Sequence, residues 1–215
     1  MNARITKRHP AELQGAVHAA SEATAALSLR DRVLDAAVRS LIELGTARTT
    51  TLEVQRRADV SRGALLHHFP SHASLLAATV EELVGRNEAA VRSGLAALKD
   101  SKDGVARAVE VLAMSASQPA YLAELELWAV SRTDPELRSF LRIAERRARK
   151  ESERVLREIF PPSGNTQALS TVMAMTMEYL RGLALSGVLR TSARRRNELV
   201  AEWIRAAKIL LQTLD

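Results

Sequence analysis

The amino-acid sequence predicts an all-α fold, in which three short helices precede a larger helical bundle. Of the 215 residues, 47% are apolar, mainly Ala, Leu and Val, and only 3% are aromatic, a mixture that favours helix over sheet. Apolar residues recur at helical spacing along most of the chain, and no segment shows the strict alternation that is typical of a strand. Gly and Pro are scarce, at 9 and 6 residues, so few points interrupt the helices.

The composition excludes several classes of protein. The chain has no cysteine, which excludes disulfides, thiolate metal sites and thiol catalysis. Residues 1–20 lack the apolar core of a secretory signal, and Glu178 and Arg181 interrupt the most apolar predicted helix, so we expect neither export nor a membrane span. The net charge of +6 permits a polyanionic partner without requiring one. We therefore expect a cytoplasmic protein that does not bind a membrane.

Residues 1–27 are predicted to be a flexible N-terminal extension. They are rich in Ala, Ser and Glu, with the basic residues Arg4, Lys7 and Arg8 near the start, and terminal segments of this kind are often poorly ordered. The alternative is a basic arm that contacts nucleic acid.

The first helix is predicted to begin at Ser28, because Ser28 and Asp31 have the spacing of a capping box. Gly45 is a typical C-terminal stop. Between them, apolar residues recur at helical spacing, at Val33, Ala37, Leu41 and Leu44.

Two short helices follow, separated by a tight turn. Thr50 and Glu53 predict a capping box at the start of the second helix, which ends near Ala58. Residues 59–60 leave room only for a turn, and Ser61 can cap the third helix. The residues predicted to form the buried side of the third helix are Leu65, Leu66 and Phe69.

The remainder of the chain is predicted to form longer helices. Pro70 ends the third helix, and Ser71 can cap the next one. Polar or proline-containing breaks then separate helices at residues 72–98, 105–117, 121–132, 135–160, 166–189 and 193–214. We therefore expect two folded domains, at residues 28–75 and 76–215.

The stretch from Thr50 to Phe69 has the layout of a helix-turn-helix. In this motif the second helix lies in the major groove of DNA, while the first braces the DNA backbone. The motif requires a tight turn, an apolar contact between the helices and an exposed face with hydrogen-bond donors, and this stretch meets all three requirements. The sequence therefore predicts a DNA-binding domain.

This motif and its flanks, at residues 28–80, resemble the TetR family of transcriptional repressors. In that family a helix ending in Gly precedes a Thr-capped helix, a Gly-Val turn, a recognition helix ending in Tyr-x-His-Phe, and a Ser-Lys helix start. The corresponding residues here are Gly45, Thr50-Thr51, Asp59-Val60, Ser61-Arg62-Gly63-Ala64-Leu65, Leu66-His67-His68-Phe69 and Pro70-Ser71-His72. The resemblance implies an N-terminal three-helix DNA-binding domain and a C-terminal helical bundle for ligand binding and dimerisation.

Four residues depart from the family pattern. Gln55 stands where the family usually has Ala, and Asp59 replaces the usual Gly of the turn. Leu66 replaces a Tyr whose hydroxyl commonly contacts DNA. His72 replaces a Lys, so a permanent phosphate contact becomes pH-dependent. We expect DNA binding to survive these changes.

The resemblance also implies which residues contact DNA. Thr50 and Thr51, at a helix N-terminus, would bind a phosphate. Arg62 would read a base, because a guanidinium can donate two hydrogen bonds to guanine. The remaining members of the implied set are Ser61, Gly63 and His67, near base edges or backbone, and His68 and His72, at phosphates.

Two further interpretations of charged residues are weaker. His68 and His72 are four residues apart, but Pro70 interrupts the helix and no acid or cysteine completes a site, so we expect no metal. Residues 142–158 are dense in charge, and a solvated amphipathic face is favoured over a second nucleic-acid patch because acids alternate with bases.

The resemblance implies a ligand pocket in the C-terminal domain. Met and Trp side chains adapt to irregular apolar ligands, although each candidate can instead be ordinary core. Glu124 lies on a mostly apolar helix, where it either faces solvent or anchors a cationic or hydroxylated effector. The pocket candidates are Met114, Tyr121, Glu124, Leu125, Trp128, Phe140, Met173 and Met177.

The last two helices carry apolar stripes suited to self-association. A four-helix seam between two copies is favoured, because a two-fold dimer matches a palindromic operator. The alternative is an intramolecular core. The stripes consist of Val172, Met175, Tyr179 and Leu183 on one helix and Leu199, Trp203, Ala207, Leu210 and Leu214 on the other.

The sequence therefore predicts a dimeric TetR-like regulator, a repressor that a small, mostly apolar effector releases from a palindromic operator. No enzyme is expected, because the chain has no Gly-rich phosphate loop and no histidine after residue 72, and no cofactor is expected. The alternative from another class is a helical ligand-binding protein that has lost DNA binding, which Gln55, Leu66 and His72 support. A helical hydrolase has no supporting residues.

Overall fold

The structure, a computed structural model, describes residues 28–98, 102–160, 165–189 and 192–213. All regular structure in these ranges is helical, and the prediction of an all-α fold is confirmed. The elements are α1 (Leu29–Leu44), a 3-10 turn (Thr46–Arg48), α2 (Thr51–Ala58), α3 (Arg62–His68), α4 (His72–Ala97), α5 (Gly104–Ser115), α6 (Pro119–Ser131), α7 (Pro135–Ile159), α8 (Thr166–Gly187) and α9 (Ala193–Thr213). The predicted extension at residues 1–27 and the predicted interface residue Leu214 lie outside the described residues.

Side-chain caps begin the short helices, as the sequence predicted. The hydroxyls of Ser28, Thr50 and Ser61 each accept a hydrogen bond from a backbone N–H in the first turn of the following helix, which satisfies one of its unpaired donors. The reciprocal half of the predicted box at Thr50 is missing, because the Glu53 carboxylate binds Arg56 and Arg57 instead. A complete capping box forms at Ser71, where the partner is Ser74.

The turn between α2 and α3 depends on Asp59. Its φ of 52° is the only positive φ of a non-glycine residue in the described ranges, and Asp tolerates this left-handed conformation better than most residues. The backbone N–H of Val60 then donates to the carbonyl of Gln55. Two residues therefore suffice to reverse the chain and bring α3 against α1 and α2.

Three apolar clusters follow one another along α4, which is 26 residues long. Leu75 of α4 packs with Val54 and Leu65 in the first cluster, under the helix-turn-helix. Leu83 packs in the second cluster, which contains residues of α1, α6 and α7. Val91 packs in the third cluster, with residues of α5, α6, α7, α8 and α9. At 1.5 Å per residue, α4 spans about 39 Å, so it links the base of α3 to the centre of the bundle.

One predicted core residue of the helix-turn-helix is exposed. Leu66, expected on the buried side of α3, is 37% exposed, whereas Leu65 and Phe69 are buried. Successive helical residues are about 100° apart around the axis. Because Leu65 faces the core, the next side chain points away from it.

Candidate nucleic-acid interface and candidate ligand cavity

The outward face of α3 carries polar side chains. Ser61, Arg62, His67 and His68 are all exposed, and Leu65 is the buried residue of this helix. Gly63 lies on the same face, and a Cβ there would meet nothing within 4 Å. The fold therefore does not require glycine at this position, and its backbone remains accessible to a partner.

The N-terminus of α2 carries the hydroxyls of Thr50 and Thr51. The Thr50 hydroxyl accepts from the Glu53 N–H at 3.1 Å, and its own proton remains able to donate. Thr51 is half-buried in the first turn, where backbone N–H groups lack helical acceptors. Such a helix start suits an anion.

His72 has a partner within the protein. Its Nε2 lies 2.6 Å from the carbonyl oxygen of Thr49, and because a carbonyl only accepts, Nε2 carries the proton and donates. This bond fixes the first residue of α4 to the segment that precedes α2. The remaining ring nitrogen, Nδ1, can donate to an external anion only when it also carries a proton.

Ion pairs brace α2 against α1. The Arg57 guanidinium donates at 2.6 Å to Glu53 of its own helix and at 2.6 Å to Glu43 of α1. The bonds from Arg57 and then Arg56 lower the pKa of the Glu53 carboxyl. This brace was not predicted from the sequence, although Glu53 and Arg57 have the i,i+4 spacing of a helical ion pair.

The histidine cluster does not form a metal site among the described residues, where no group of three or more His, Asp or Glu side chains is suitably placed. His67 and His68 meet edge to face with ring centroids 5.3 Å apart. The ring of His68 also approaches Phe69.

A cavity of about 480 Å³ opens among α4, α5, α6, α7 and α8, a volume typical of small-molecule sites. It brings together six of the eight predicted pocket residues, namely Tyr121, Glu124, Leu125, Trp128, Met173 and Met177. The other two do not line it. Met114 and Phe140 are 49% and 38% exposed, because the buried sides of α5 and α7 are formed by neighbouring residues, including Leu112 and Leu141.

Glu124 faces this cavity rather than solvent. Its Oε2 accepts a hydrogen bond of 2.8 Å from Nδ2 of Asn87 on α4. Burial raises the pKa of the Glu124 carboxyl to about 7, although the Asn87 bond and the Arg181 charge oppose the shift. The sequence analysis did not identify Asn87 as a cavity residue, since no pattern in α4 distinguishes it from a surface amide.

Arg181 supplies a cation at the cavity wall. Its guanidinium lies 4.6 Å from the centroid of the Trp128 ring, in a cation–π contact, and donates at 2.5 Å to Glu178. The Tyr121 hydroxyl faces Arg181 but makes no well-formed hydrogen bond, and burial raises its pKa. The position of Arg181 on an otherwise apolar helix could have indicated a cavity residue, but it was interpreted only as an argument against a membrane span.

Helix α6 contacts both the cavity and the turn that precedes α2. Glu124, Leu125 and Trp128 line the cavity. From the same helix, Oε1 of Glu126 accepts a hydrogen bond of 2.7 Å from the backbone N–H of Thr46. A Cβ at Gly45, which has a φ of 76°, would lie 3.2 Å from that carboxylate, so glycine there allows both the turn and the close approach.

The predicted dimer stripes are partly internal. Val172 and Ala207 are fully buried in the third cluster, so the prediction that they lie at an interface is wrong, because their side chains pack within the chain itself. Leu183, Leu199 and Leu210 are half-buried, and Leu183 and Leu210 pack against the third cluster.

The aromatic pair of the predicted stripes joins α8 to α9. Tyr179 and Trp203 stack with centroids 5.2 Å apart. The Tyr179 hydroxyl donates to the carbonyl of Leu199 at 2.9 Å, and the Trp203 N–H donates to the Thr176 hydroxyl at 3.0 Å. The exposed large apolar residues of this region are Met175, Leu185 and Ile209 on the two helices and Val188 and Leu189 just after α8, and only Met175 was among the predicted interface residues.

Residues 33–79 match the model of a family described as "Bacterial regulatory proteins, tetR family". Among curated proteins, the chain is similar to the HTH-type transcriptional regulator BetI of Burkholderia thailandensis, with 29% identity over 168 residues, 76% of this chain and 86% of the relative. None of the described helices is long and apolar enough to cross a membrane.

The fold is similar to those of solved structures. The multidrug binding protein EbrR, solved with imidazole, matches with a TM-score of 0.60 and 22% identity, over 83% of this chain and 94% of that one. A transcriptional regulator from Rhodococcus matches with a TM-score of 0.61 and 22% identity, over 85% and 96%. These similarities confirm an N-terminal helix-turn-helix joined to a C-terminal helical bundle, and both BetI and the Rhodococcus protein are described as transcriptional regulators.

Proposed function

The chain belongs to the TetR family of bacterial regulatory proteins and is a helix-turn-helix transcriptional regulator; from this premise we propose that it is a homodimeric repressor, released from a palindromic operator by a small, mostly apolar effector. The observation that carries the proposal is the position of α6. This helix lines a cavity with Glu124 and Trp128 and holds, through Glu126, the turn that precedes α2.

The DNA-binding surface is proposed to be the outward face of α3 with the start of α2. Arg62 reads a base pair from the major groove, where a guanidinium recognises guanine. Ser61, Gly63 and His67 lie near base edges or backbone. Phosphates are contacted by Thr50, Thr51, His68 and His72, the last through Nδ1 because Nε2 already binds Thr49.

Dimerisation is proposed to use the faces of α8 and α9 that the chain leaves exposed. Met175, Leu185, Leu189 and Ile209 expose large apolar side chains there, and a second copy would bury them in an isologous contact. A two-fold dimer presents two copies of α3. Binding to a palindrome then requires these helices to be about 34–36 Å apart, which is one turn of duplex.

The effector would act by changing that separation. A ligand in the cavity contacts α4 and α6, and both helices also contact the helix-turn-helix, α4 through its first turn and α6 through Glu126. A ligand that favours a different position of α6 therefore disfavours the operator-bound dimer. A coupling of about 1–3 kcal/mol suffices for a useful switch. The site of action is the cytoplasm, where the DNA is.

A gel-shift experiment with DNA that flanks the chain's own coding region tests this function. We expect specific binding with a Kd on the order of nanomolar, weakening steeply as salt increases because phosphate contacts release counterions. Micromolar or weaker binding without sequence preference would instead identify a helical ligand-binding protein that has lost DNA binding. Leu66 and His72 support that second candidate, since one is an exposed apolar residue and the other is engaged by Thr49.

A further inference from the structure

Carboxylates outnumber cations around the cavity. Among the described side chains that line it, five are glutamates and two are arginines, namely Glu88, Glu124, Glu145, Glu153 and Glu178 against Arg157 and Arg181. Glu88 pairs with Arg92 and Glu178 with Arg181, and electrostatic interactions are stronger where water is excluded, so the carboxyl that bears most directly on a ligand is the buried Glu124. The chemistry of a ligand for this cavity is therefore constrained by charge as well as by shape.

The cavity cations do not neutralise Glu124. The guanidinium of Arg181 is compensated by Glu178 at 2.5 Å and covered by the Trp128 ring. Within the described residues Glu124 forms no ion pair, and its hydrogen bond comes from the neutral amide of Asn87. Among the described residues, the polar and charged side chains that line the same cavity are Asn87 and Glu88 of α4, Tyr121 of α6, Glu145, Glu153 and Arg157 of α7, and Glu178 and Arg181 of α8.

Two further residues of the cavity wall, Tyr121 and Asn87, carry buried polar atoms without a well-formed hydrogen bond. The Tyr121 side chain is only 8% exposed, yet its hydroxyl oxygen makes no well-formed hydrogen bond. Oδ1 of Asn87 is also buried without a partner, while the Nδ2 of the same amide binds Glu124. Buried polar groups are costly unless they are hydrogen-bonded. Tyr121 and Asn87 line the same cavity as Glu124, and Asn87 contacts Glu124 directly.

We propose that the cavity binds an organic cation, an amine or amidine on an apolar body, whose N–H groups donate to Glu124, Asn87 and Tyr121. A charged donor suits these acceptors because charge-assisted hydrogen bonds are about twice as strong as neutral ones. The apolar body would lie against the aliphatic part of the wall, formed by Val80, Val84, Val91, Leu112, Leu125, Met173 and Met177. The inference rests on the proposed function only in taking this cavity as the effector site.

Binding of such a cation is expected to release a proton. Burial raises the pKa of Glu124 to about 7 in the unliganded protein, and an adjacent positive charge favours the ionised carboxylate. Near pH 7 about half of the Glu124 side chains are protonated, so about half a proton per site is released, and the release falls as the pH rises. The affinity for the cation increases over the same range.

Calorimetry with three probes of one carbon skeleton tests the inference. Phenylbutylamine, phenylbutanol and phenylbutyrate present a cation, a neutral hydroxyl and an anion on the same apolar body. At pH 8 the amine is expected to bind at least about tenfold more tightly than the other two. Titrations in buffers of different ionisation enthalpy measure the proton released. The inference is overturned if phenylbutyrate or phenylbutanol binds as tightly as the amine, or if none of the three binds.

Glu124→Gln and Glu110→Gln form a matched pair of variants. Glu124→Gln preserves the side-chain shape, and we expect at least a tenfold loss of amine affinity and no proton release. Glu110 is exposed on α5 and does not line the cavity, so we expect Glu110→Gln to keep both the amine affinity and the proton release. Unchanged amine binding in Glu124→Gln would overturn the inference. An amine that binds with proton release but leaves the gel shift unchanged would support the inference and contradict the effector role in the proposed function.

Discussion

The carboxylate of Glu126 accepts the backbone N–H of Thr46 across 80 positions of sequence, at 2.7 Å. This bond joins the helix that lines the cavity to the turn between α1 and α2. Glu126 is a neighbour in sequence of the cavity residue Leu125, and Thr46 lies four residues before the cap of α2 at Thr50. A displacement of α6 by a ligand therefore acts directly on the segment that positions the helix-turn-helix.

Replacement of Glu126 by alanine tests this connection. Glu126→Ala leaves the Thr46 N–H without its acceptor, and we expect a loss of about 1 kcal/mol in the free energy of unfolding because the bond is only partly buried. We also expect a bound ligand to change DNA affinity less than in the unmodified protein. Urea denaturation and gel shifts with and without ligand measure the two effects. Glu110→Ala, on the exposed face of α5, is the control, and an equal response of both variants would contradict the connection.

Arg62 is expected to contribute sequence preference as well as affinity. Arg62→Ala should weaken operator binding by about 1–3 kcal/mol and relax the preference at one base pair. Arg142→Ala removes the same charge from an exposed position on α7, far along the chain from α3, and should leave both properties unchanged. Competition with single-base operator variants measures the preference. If Arg62→Ala weakens every sequence equally, Arg62 contacts a phosphate and not a base.

The exposed faces of α8 and α9 predict a dimer that a single charge can weaken. Leu185 is 51% exposed within the chain, so Leu185→Glu should change the stability of one protomer little. Across a two-fold axis, however, it brings a desolvated charge to both sides of the contact. We expect the dimer dissociation constant, measured by analytical ultracentrifugation, to rise about tenfold or more. Ile143→Glu, at an exposed apolar residue of α7, is the matched control, and equal dissociation constants for the two variants would refute this interface.

Val172 is expected to matter for folding rather than for association. It is fully buried in the third cluster, and removal of its two methyl groups should lower the free energy of unfolding by about 2 kcal/mol. Met175→Ala, on the exposed side of the same helix, should cost much less. Thermal and urea denaturation compare the two variants at one protein concentration. If the Val172→Ala protein had normal stability but a weakened dimer, Val172 would lie at the dimer interface, as the sequence alone predicted.

Glu124 should make the stability of the unliganded protein depend on pH. Its pKa is about 7 when folded against 4.5 for an unperturbed carboxyl, so the folded state holds the extra proton between these values. Stability is therefore highest below the unfolded pKa and decreases as the pH rises toward the folded pKa, by an amount on the order of 1–3 kcal/mol. Glu124→Gln should lack this part of the decrease. Urea denaturation at pH 5 and pH 8 measures the difference, and identical pH profiles for the two proteins would contradict it.

Local rules predicted the start of most helices and the family. Ser28, Thr50, Ser61 and Ser71 were recognisable as caps because a capping bond joins residues three apart, and it forms in the same way in any tertiary context. Residues 33–79, which match the family model, are within the stretch in which the motif was recognised. The reciprocal half of the box at Thr50 failed because Arg56 and Arg57 compete for the Glu53 carboxylate.

Helical periodicity predicted which side of each helix is apolar, but it did not predict which neighbour that side packs against. Val172 and Met175 belong to one predicted stripe, yet one is fully buried in the chain and the other is 43% exposed. A stripe has a width of several residues, and its two margins can pack against different neighbours. The same ambiguity separates Met173, which lines the cavity, from Met114, which faces solvent.

The sequence by itself determined the helices, their caps, the tight turn at Asp59 and the polar outward face of α3, since each depends on residues within one or two turns of helix. Tertiary structure decided the contacts that join distant segments: His72 with Thr49, Glu126 with Thr46, Asn87 with Glu124, and Arg181 with Trp128. These contacts depend on how whole helices cross. No pattern within one helix specifies the neighbour that its polar residues will meet, or the burial that raises the pKa of Glu124.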